Sequence, residues 1–329
     1  MQTDREEPMA TTPRQPVPIP LVVLGGGDAR PSTLPETGAE LHPLQGPKGL
    51  ALKIQGRPII DLLLERLQAS GYFSPIYIAG PAELYGAERG GCKVIDTNST
   101  FGNNIKAAIA TVMTECPGQS VAITTCDILP EEDELHRLME DYYHHLPLDF
   151  WFPAILAPEE NRELGASAWK PRYRVAPLPG EQPRTLLPGH LLVADPAAVR
   201  RPLVYRTFDL AYESRNRPIM YRLGLIVGHI FGGLVLQDLK LLFTFRLPTM
   251  TYTVIYNGTV MALKLRRGII TPEEMATRLH RIYIRYQHRR QFPERAGRTP
   301  LKHGLSLAKD IDTVEEAEEI AQEFGAPTT

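Results

Sequence analysis

The chain has 329 residues, 43% of them apolar, with 36 basic against 38 acidic side chains and a formal charge of −2. That composition builds a substantial core and excludes wholesale disorder, and it lacks the clearly basic balance of a dedicated nucleic-acid binder. Three widely spaced cysteines (Cys92, Cys116, Cys126) with no C-x-x-C pair fit a reducing, cytoplasmic setting and exclude a disulfide framework or a structural zinc site.

Residues 1–19 are polar and carry Pro8, Pro13, Pro16 and Pro18. They predict a flexible, polyproline-like leader, without the charged-then-apolar order of a signal peptide. Pro20 to Leu24 is a short apolar run ending in Gly25-Gly26-Gly27, which predicts a buried strand feeding a glycine-rich loop. Ile59, Ile60, Leu63, Leu64 and Leu67 give Pro58 to Leu67 helical spacing, with Gly71 as its stop. Pro75 to Ala79, Lys93 to Ile95 and Ser120 to Thr125 predict strands, and Ile105 to Met113 a helix of small residues. This alternation implies an α/β, Rossmann-like, mostly parallel sheet flanked by helices.

From Asp149 the pattern loosens. Phe150 to Leu156 and His190 to Ala194 predict strands, separated by a proline-rich, arginine-bearing stretch from Lys170 to Pro188. The apolar run Leu223 to Val235 is shorter than the ~20 residues a membrane span needs. With Leu236 to Leu247 it predicts a buried helix pair in preference to an interfacial segment. Thr271-Pro272-Glu273-Glu274 is a capping box ahead of Met275, Leu279, Ile282 and Tyr286 on one face. Thr313-Val314-Glu315-Glu316 repeats the box before Ala317, Ile320 and Phe324, and Gly325 ends that helix. No clean linker interrupts residues 20–329, so the second half reads as a helical elaboration of one domain.

Several groups carry potential chemistry. Backbone amides of a strand-terminal glycine loop can approach phosphate oxygens, and Arg30 would add a fixed cation. A tight turn with a solvated arginine is the equal alternative. The loop is neither the dinucleotide fingerprint nor a Walker loop, because Arg30 replaces the third glycine and no G-K-[ST] follows. Lys48 in Gly46-Pro47-Lys48-Gly49 is, taken alone, an ordinary solvated lysine. Asp127 follows the strand Val121 to Thr125, at the end of an open α/β sheet where ligands bind. There a carboxylate suits Mg²⁺ better than capping, since Glu131 to Asp133 already charge the next helix start. Asp310 and Asp312 alternate in an extended segment and can face one site, with Thr313 free to cap. Asn103 and Asn104 open a helix, where an asparagine serves as a cap or reads a nucleobase edge. Arg278 to His303 holds eight Lys/Arg and one acid, a solvated helix face in preference to an anion-binding surface. His144-His145 and the scattered histidines show no ligand spacing.

Taken in order, Leu24-Gly25-Gly26-Gly27 with Arg30, Pro47-Lys48-Gly49-Leu50 and Gly56-Arg57-Pro58-Ile59-Ile60 resemble the opening of the MobA-like NTP transferases and their glycosyltransferase-A-like relatives. Phe101 to Ala108, Thr125-Cys126-Asp127-Ile128-Leu129-Pro130 and Asp310-Ile311-Asp312-Thr313-Val314-Glu315-Glu316 continue the resemblance, and Gly189-His190-Leu191-Leu192 is similar to the acceptor strand. The sequence departs at Asp28-Ala29, where a glycine often precedes the arginine, and at His190, where Asn is frequent.

The resemblance implies a Mg²⁺-dependent nucleotidyltransferase acting on an NTP and a phosphorylated or hydroxylated small-molecule acceptor, with residues 150–306 elaborating the acceptor side and 307–329 closing the fold. It implies nucleotide contacts from Leu24, Gly25, Gly26, Gly27, Arg30, Lys48, Asn103 and Asn104, and catalytic roles for Arg30, Lys48 and Asp127. Asp127, with Asp310 or Asp312, would hold the metal. The alternatives are a glycosyltransferase of the same fold using a nucleotide-sugar and a degenerate, non-catalytic binding protein. Lys48 favours the first reading, since a finished nucleotide-sugar needs no triphosphate-clamping lysine.

Overall fold

The computed structural model describes residues 16–26, 47–158, 173–214, 219–243 and 249–325. In chain order the elements are β1 (Ile19–Leu24), α1 (Lys48–Ala51), β2 (Lys53–Ile54), β3 (Arg57–Pro58), α2 (Ile59–Ala69), β4 (Phe73–Gly80), α3 (Ala82–Tyr85), β5 (Glu88–Arg89), β6 (Cys92–Asp96), α4 (Phe101–Glu115), β7 (Val121–Thr125) and α5 (Glu132–His144). Then come β8 (Leu148–Trp151), β9 (Ala154–Leu156), β10 (Tyr173–Val175), β11 (Arg184–Pro188), β12 (Leu192–Ala194), α6 (Arg201–Glu213), α7 (Ile219–Phe243), α8 (Met250–Arg267), α9 (Pro272–Tyr283), α10 (Tyr286–Gln291), β13 (Ala296–Arg298), β14 (Leu301–Lys302) and α11 (Val314–Gly325).

Among the described residues, eight strands form one sheet in the order β13-β8-β12-β7-β1-β4-β6-β5. β7, β1, β4 and β6 run parallel at its centre, and β12 runs antiparallel to both of its neighbours. β1 explains its own unbroken apolar run, because a central parallel strand is buried on both faces. Leu21 and Val23 face the layer of α2, α5 and α11. Val22 and Leu24 face α4, with Tyr205 and Phe208 of α6 packed behind it. The expected α/β architecture, with helices on both faces and a helical second half, is the one that forms.

The differences lie in the second half. The expected strand Phe150 to Leu156 is two strands, because Pro153 has no N–H for a ladder. β8 stays in the large sheet, whereas β9 joins a smaller one ordered β10-β11-β9-β14. β10 and β11 fall in the proline-rich stretch read from sequence as a connection; its first residues lie outside the described ones. The expected buried pair at Leu223 to Leu247 is one continuous helix up to Phe243, and residues 244–248 lie outside the described ones. Its partner is α8, and it buries Leu234 against Leu203, Leu210, Val254 and Ile282. Phe231, Leu236, Leu239, Leu242 and Phe243 are exposed. Among the described residues no helix is long and apolar enough to cross a membrane.

The threonine half of each capping box forms: Thr271 accepts from the Glu274 N–H and Thr313 from the Glu316 N–H, while the Glu274 carboxylate accepts from Lys264 and Arg278 and that of Glu316 from the Asp312 N–H. Tyr286 does not share the face of α9, since that helix ends at Tyr283 and Tyr286 begins α10. The basic stretch is only in part the solvated face expected of it. His280 Nε2 and His288 Nε2 lie 2.7 and 2.9 Å from the two oxygens of Asp149, which is fully buried. Arg295 donates to Asp149 at 2.7 Å and to Asp195 at 2.9 Å, and Lys302 donates to Asp141 at 2.8 Å. Acidic side chains from the first 195 residues thus hold Arg295 and Lys302 from inside, while Arg281, Arg285 and Arg290 stay exposed.

Candidate active site

The exits of β1 and β7 lie side by side, since Leu24 pairs with Thr125. At the first exit Leu24 and Gly25 are buried and Gly26 is exposed. The Gly25 N–H donates to the Ala79 carbonyl at 2.9 Å, and Tyr85 Oη donates to the Gly25 carbonyl at 2.8 Å. A Cβ on Gly25 would stand 2.9 Å from the Tyr85 ring. Gly25 thus supplies room for an aromatic side chain, and the amides left to meet a ligand are those further along the loop. Gly25→Ala is expected to cost about 1–3 kcal/mol in folding stability through this overpacking, read as a lowered urea midpoint. Gly27, Asp28, Ala29 and Arg30 lie outside the described residues.

Asn103 and Asn104 stand in the first turn of α4, but Thr100 is its cap and accepts from the Asn103 N–H. Asn103 is exposed and donates to Ser99 Oγ at 3.2 Å. Asn104 is buried, accepts from the Ser99 N–H at 3.0 Å, and lies where a Cβ on Gly26 would meet its Nδ2 at 3.2 Å. It borders the glycine loop; Asn103 points away into solvent.

Lys48 opens α1. Gly49 packs so closely on Cys126 that a Cβ would come within 3.1 Å of its side chain, which seats α1 on the end of β7. Lys48 Nζ consequently reaches Asp312 Oδ1 at 2.5 Å and Asp127 Oδ2 at 3.9 Å. Burial disfavours the ammonium, but Asp127, Asp312 and Asp310 outweigh it and hold its pKa above the usual lysine range. Lys48 is a permanent cation here.

Asp127 does not cap α5, whose N-cap position is Glu131. Its carbonyl accepts from the Ile311 N–H at 2.7 Å, which pins the Asp310–Asp312 segment across the β7 exit. Ile311 is buried in the core while its neighbours turn the other way. Thr313 does the capping, and the Glu316 carboxylate accepts from the Asp312 N–H at 2.9 Å. Both aspartates are therefore available to the site. Burial and the nearby Asp310 raise the Asp312 carboxyl, against the opposing pull of Lys48. Asp127 Oδ1 and Asp312 Oδ2 are buried with no hydrogen-bond partner among the described residues.

Sequence reasoning marked His190 only as a departure from the resembled pattern, and it passed over Thr125. His190 is anchored by its N–H donating to the Leu307 carbonyl at 2.8 Å. Its Nδ1 lies 3.1 Å from Thr125 Oγ1 and its Nε2 2.9 Å from Asp310 Oδ1. Asp127, His190 and Asp310 each present a ligand atom, all within 4.8 Å of one another. Several carboxylates facing one ammonium, with two buried oxygens unpartnered, suit a hard divalent cation. A second such group, Asp149, Asp195 and His288, is different in kind, because the Arg295 guanidinium already bridges its carboxylates.

The sequence model of the MobA-like NTP transferase domain matches residues 21–214. The chain belongs to this family of nucleotidyltransferases. Leu21 to Leu24 of β1, Lys48, Asp127 and His190 lie inside the matched span; Asp310 and Asp312 lie beyond it. No curated protein matches the sequence. Solved structures similar to this chain include HddC from Yersinia pseudotuberculosis complexed with GMP-PN, at 13% identity and a TM-score of 0.36, covering 57% of this chain and 79% of that one. A putative glucose-1-phosphate thymidylyltransferase from Bacillus anthracis is 11% identical with a TM-score of 0.42, over 94% and 97% of the two chains. The 4-diphosphocytidyl-2C-methyl-D-erythritol synthase from Anaerococcus prevotii is 9% identical with a TM-score of 0.41, over 93% and 97%.

Proposed function

We propose that the protein transfers a nucleoside monophosphate from an NTP to a phosphorylated or hydroxylated small-molecule acceptor, releasing pyrophosphate, in a Mg²⁺-dependent reaction. The observation that carries this reading is the convergence of Lys48, Asp127, Asp310 and Asp312 at the exits of β1 and β7. In it, residues 20–329 act as one domain with the acceptor side in 150–306. Cytoplasmic residence is part of the reading, supported by three free, buried cysteines.

Asp127 and Asp310 would hold the Mg²⁺, which supplies charge neutralisation on the phosphates when bound. Asp312 holds Lys48 at the mouth of the site, and Lys48 presents a full positive charge to the NTP. Gly26 and Gly27, lacking a Cβ, would let phosphate oxygens approach the backbone, Arg30 would add a second cation, and Asn104 would border the nucleoside side. An acceptor oxygen forms the new bond to the α-phosphorus as the α–β bridging bond breaks, and pyrophosphate leaves. Positioning and charge do the catalysis, with no protein nucleophile.

Thermal stability against an NTP panel, with and without Mg²⁺, tests this. A ligand at ~100 times its Kd stabilises the folded state by about 2.7 kcal/mol, and one NTP is expected to do so only with Mg²⁺, with pyrophosphate appearing once the acceptor is added. A shift with nucleotide-sugars alone would overturn the reading in favour of a glycosyltransferase. The two late aspartates are expected to separate kinetically. Asp310→Asn should lower kcat by about 10²-fold or more, as for loss of a positioned charge. Asp312→Asn should act on the apparent KM for NTP by about 10-fold, as for a residue that orients another. Equal and negligible losses would remove the segment from the site.

A further inference from the structure

We propose that His190 is a nitrogen ligand of the site's cation, so that the site holds a first-row divalent ion such as Mn²⁺ more tightly than Mg²⁺. This rests on the reading above and refines its choice of metal.

The first ground is spacing. Two donors bound to one ion at about 2.1 Å and at right angles stand about 3 Å apart. His190 Nε2 and Asp310 Oδ1 are 2.9 Å apart, and Asp127 brings a third donor within 4.8 Å of both. Asp127 itself carries a buried oxygen with no partner among the described residues.

The second ground is how the ring is held. Metal-binding imidazoles have the other ring nitrogen fixed by a polar group behind them, which sets tautomer and orientation. Thr125 Oγ1 stands 3.1 Å from Nδ1, and with Nδ1–H donating to it, Nε2 would turn its lone pair to an ion held between it, Asp310 and Asp127. The backbone is fixed as well: the Gly189 N–H donates to the Pro153 carbonyl at 2.9 Å and the His190 N–H to Leu307. The His190 side chain keeps 17% exposure, so an ion can reach it from solvent.

Chemistry then sets the preference. Mg²⁺ selects oxygen ligands and gives up water reluctantly, whereas the first-row divalent ions, of which Mn²⁺ is the most carboxylate-tolerant, take an imidazole beside carboxylates more readily. The competing arrangement is an imidazolium that merely neutralises Asp310, with the cation held by carboxylates alone.

Pulsed EPR on the full-length protein loaded with Mn²⁺, with and without NTP, decides between them through the nitrogen hyperfine coupling of a bound imidazole. The expected result is one imidazole coupling in the wild type, altered as it should be when histidine is ¹⁵N-labelled. It should vanish in His190→Asn, which should still bind Mn²⁺ about 10–100-fold more weakly and with less preference over Mg²⁺ in competition. Bound Mn²⁺ with no nitrogen coupling in the wild type would overturn the His190 assignment alone and leave the carboxylate site standing. Coupling that persists in His190→Asn would also overturn it. Failure of Mn²⁺ to bind even with NTP would overturn the cation reading itself. A wild-type spectrum with no nitrogen coupling overturns the assignment even if the variant folds poorly.

Discussion

Asp127→Asn is expected to lower turnover by about 10³-fold, the scale seen when a charge stabilising phosphoryl-transfer chemistry is removed, with the fold intact. The substitution preserves shape, and the part of residue 127 that organises the site is its backbone: the carbonyl accepting from Ile311 is untouched. What disappears is one negative charge from a cluster in which Asp310 and burial already push the Asp312 carboxyl up. Relief of that repulsion offsets the lost attraction to Lys48, 3.9 Å away, so the melting temperature should stay close to that of the wild type. The measurement pairs pyrophosphate release under saturating NTP with thermal melting. Near-normal turnover would take Asp127 out of the cation site. A large loss of stability would show that its carboxylate is structural.

The parts of this site legible in the sequence are those whose local pattern and long-range position coincide. β1 reads as an uninterrupted apolar run because both its faces are buried, and that same central position puts its glycine exit at the ligand-binding edge. Asp127 stands two residues past the end of β7, the parallel strand beside β1. Asp310 and Asp312 are separated by the core residue Ile311, and an alternating segment turns both carboxylates one way. His190 was not legible as a site residue, because its significance lies in meeting Asp310 and Thr125, which no periodicity encodes. The exposed apolar residues of α7 illustrate the same limit from the other side. A sequence run states that a segment is apolar, whereas its burial depends on what packs against it, and α7 covers only part of its surface. β10 and β11 were hidden by prolines and arginines that a short strand of a small sheet tolerates. In the basic stretch, charge was visible but its partners were not: Asp149 precedes Arg295 by 146 positions.

Asp149→Ala is expected to cost about 3–5 kcal/mol, the range for breaking a buried ion pair from one side. The truncated carboxylate would leave His280, His288 and one donor of Arg295 facing a void in a place that is fully buried. Asp149→Asn keeps the volume and should cost less, since Arg295 retains Asp195 and the Leu148 carbonyl. The pH dependence separates charge from packing. Burial pushes the Asp149 carboxyl up, but hydrogen bonds from His280 and His288 and the charge of Arg295 outweigh it, so its folded pKa lies below the usual carboxylate value. A depressed carboxylate contributes stability that is fully present above its unfolded pKa, about 3.9, and is lost as pH falls through the folded value. The gap between wild type and Asp149→Asn in urea unfolding should therefore hold from neutral pH down to about pH 5 and close at lower pH. A gap that stays constant through that acid range would assign the effect to packing alone. The consequence reaches the candidate site, because Arg295 leads directly into β13, which pairs with β8 beside Asp149. β14 and then Asp310 follow along the chain. Fastening Arg295 to Asp149 fixes the start of the segment that carries the late aspartates back to Lys48, so Asp149→Asn should also raise the apparent KM for NTP without touching the chemistry itself.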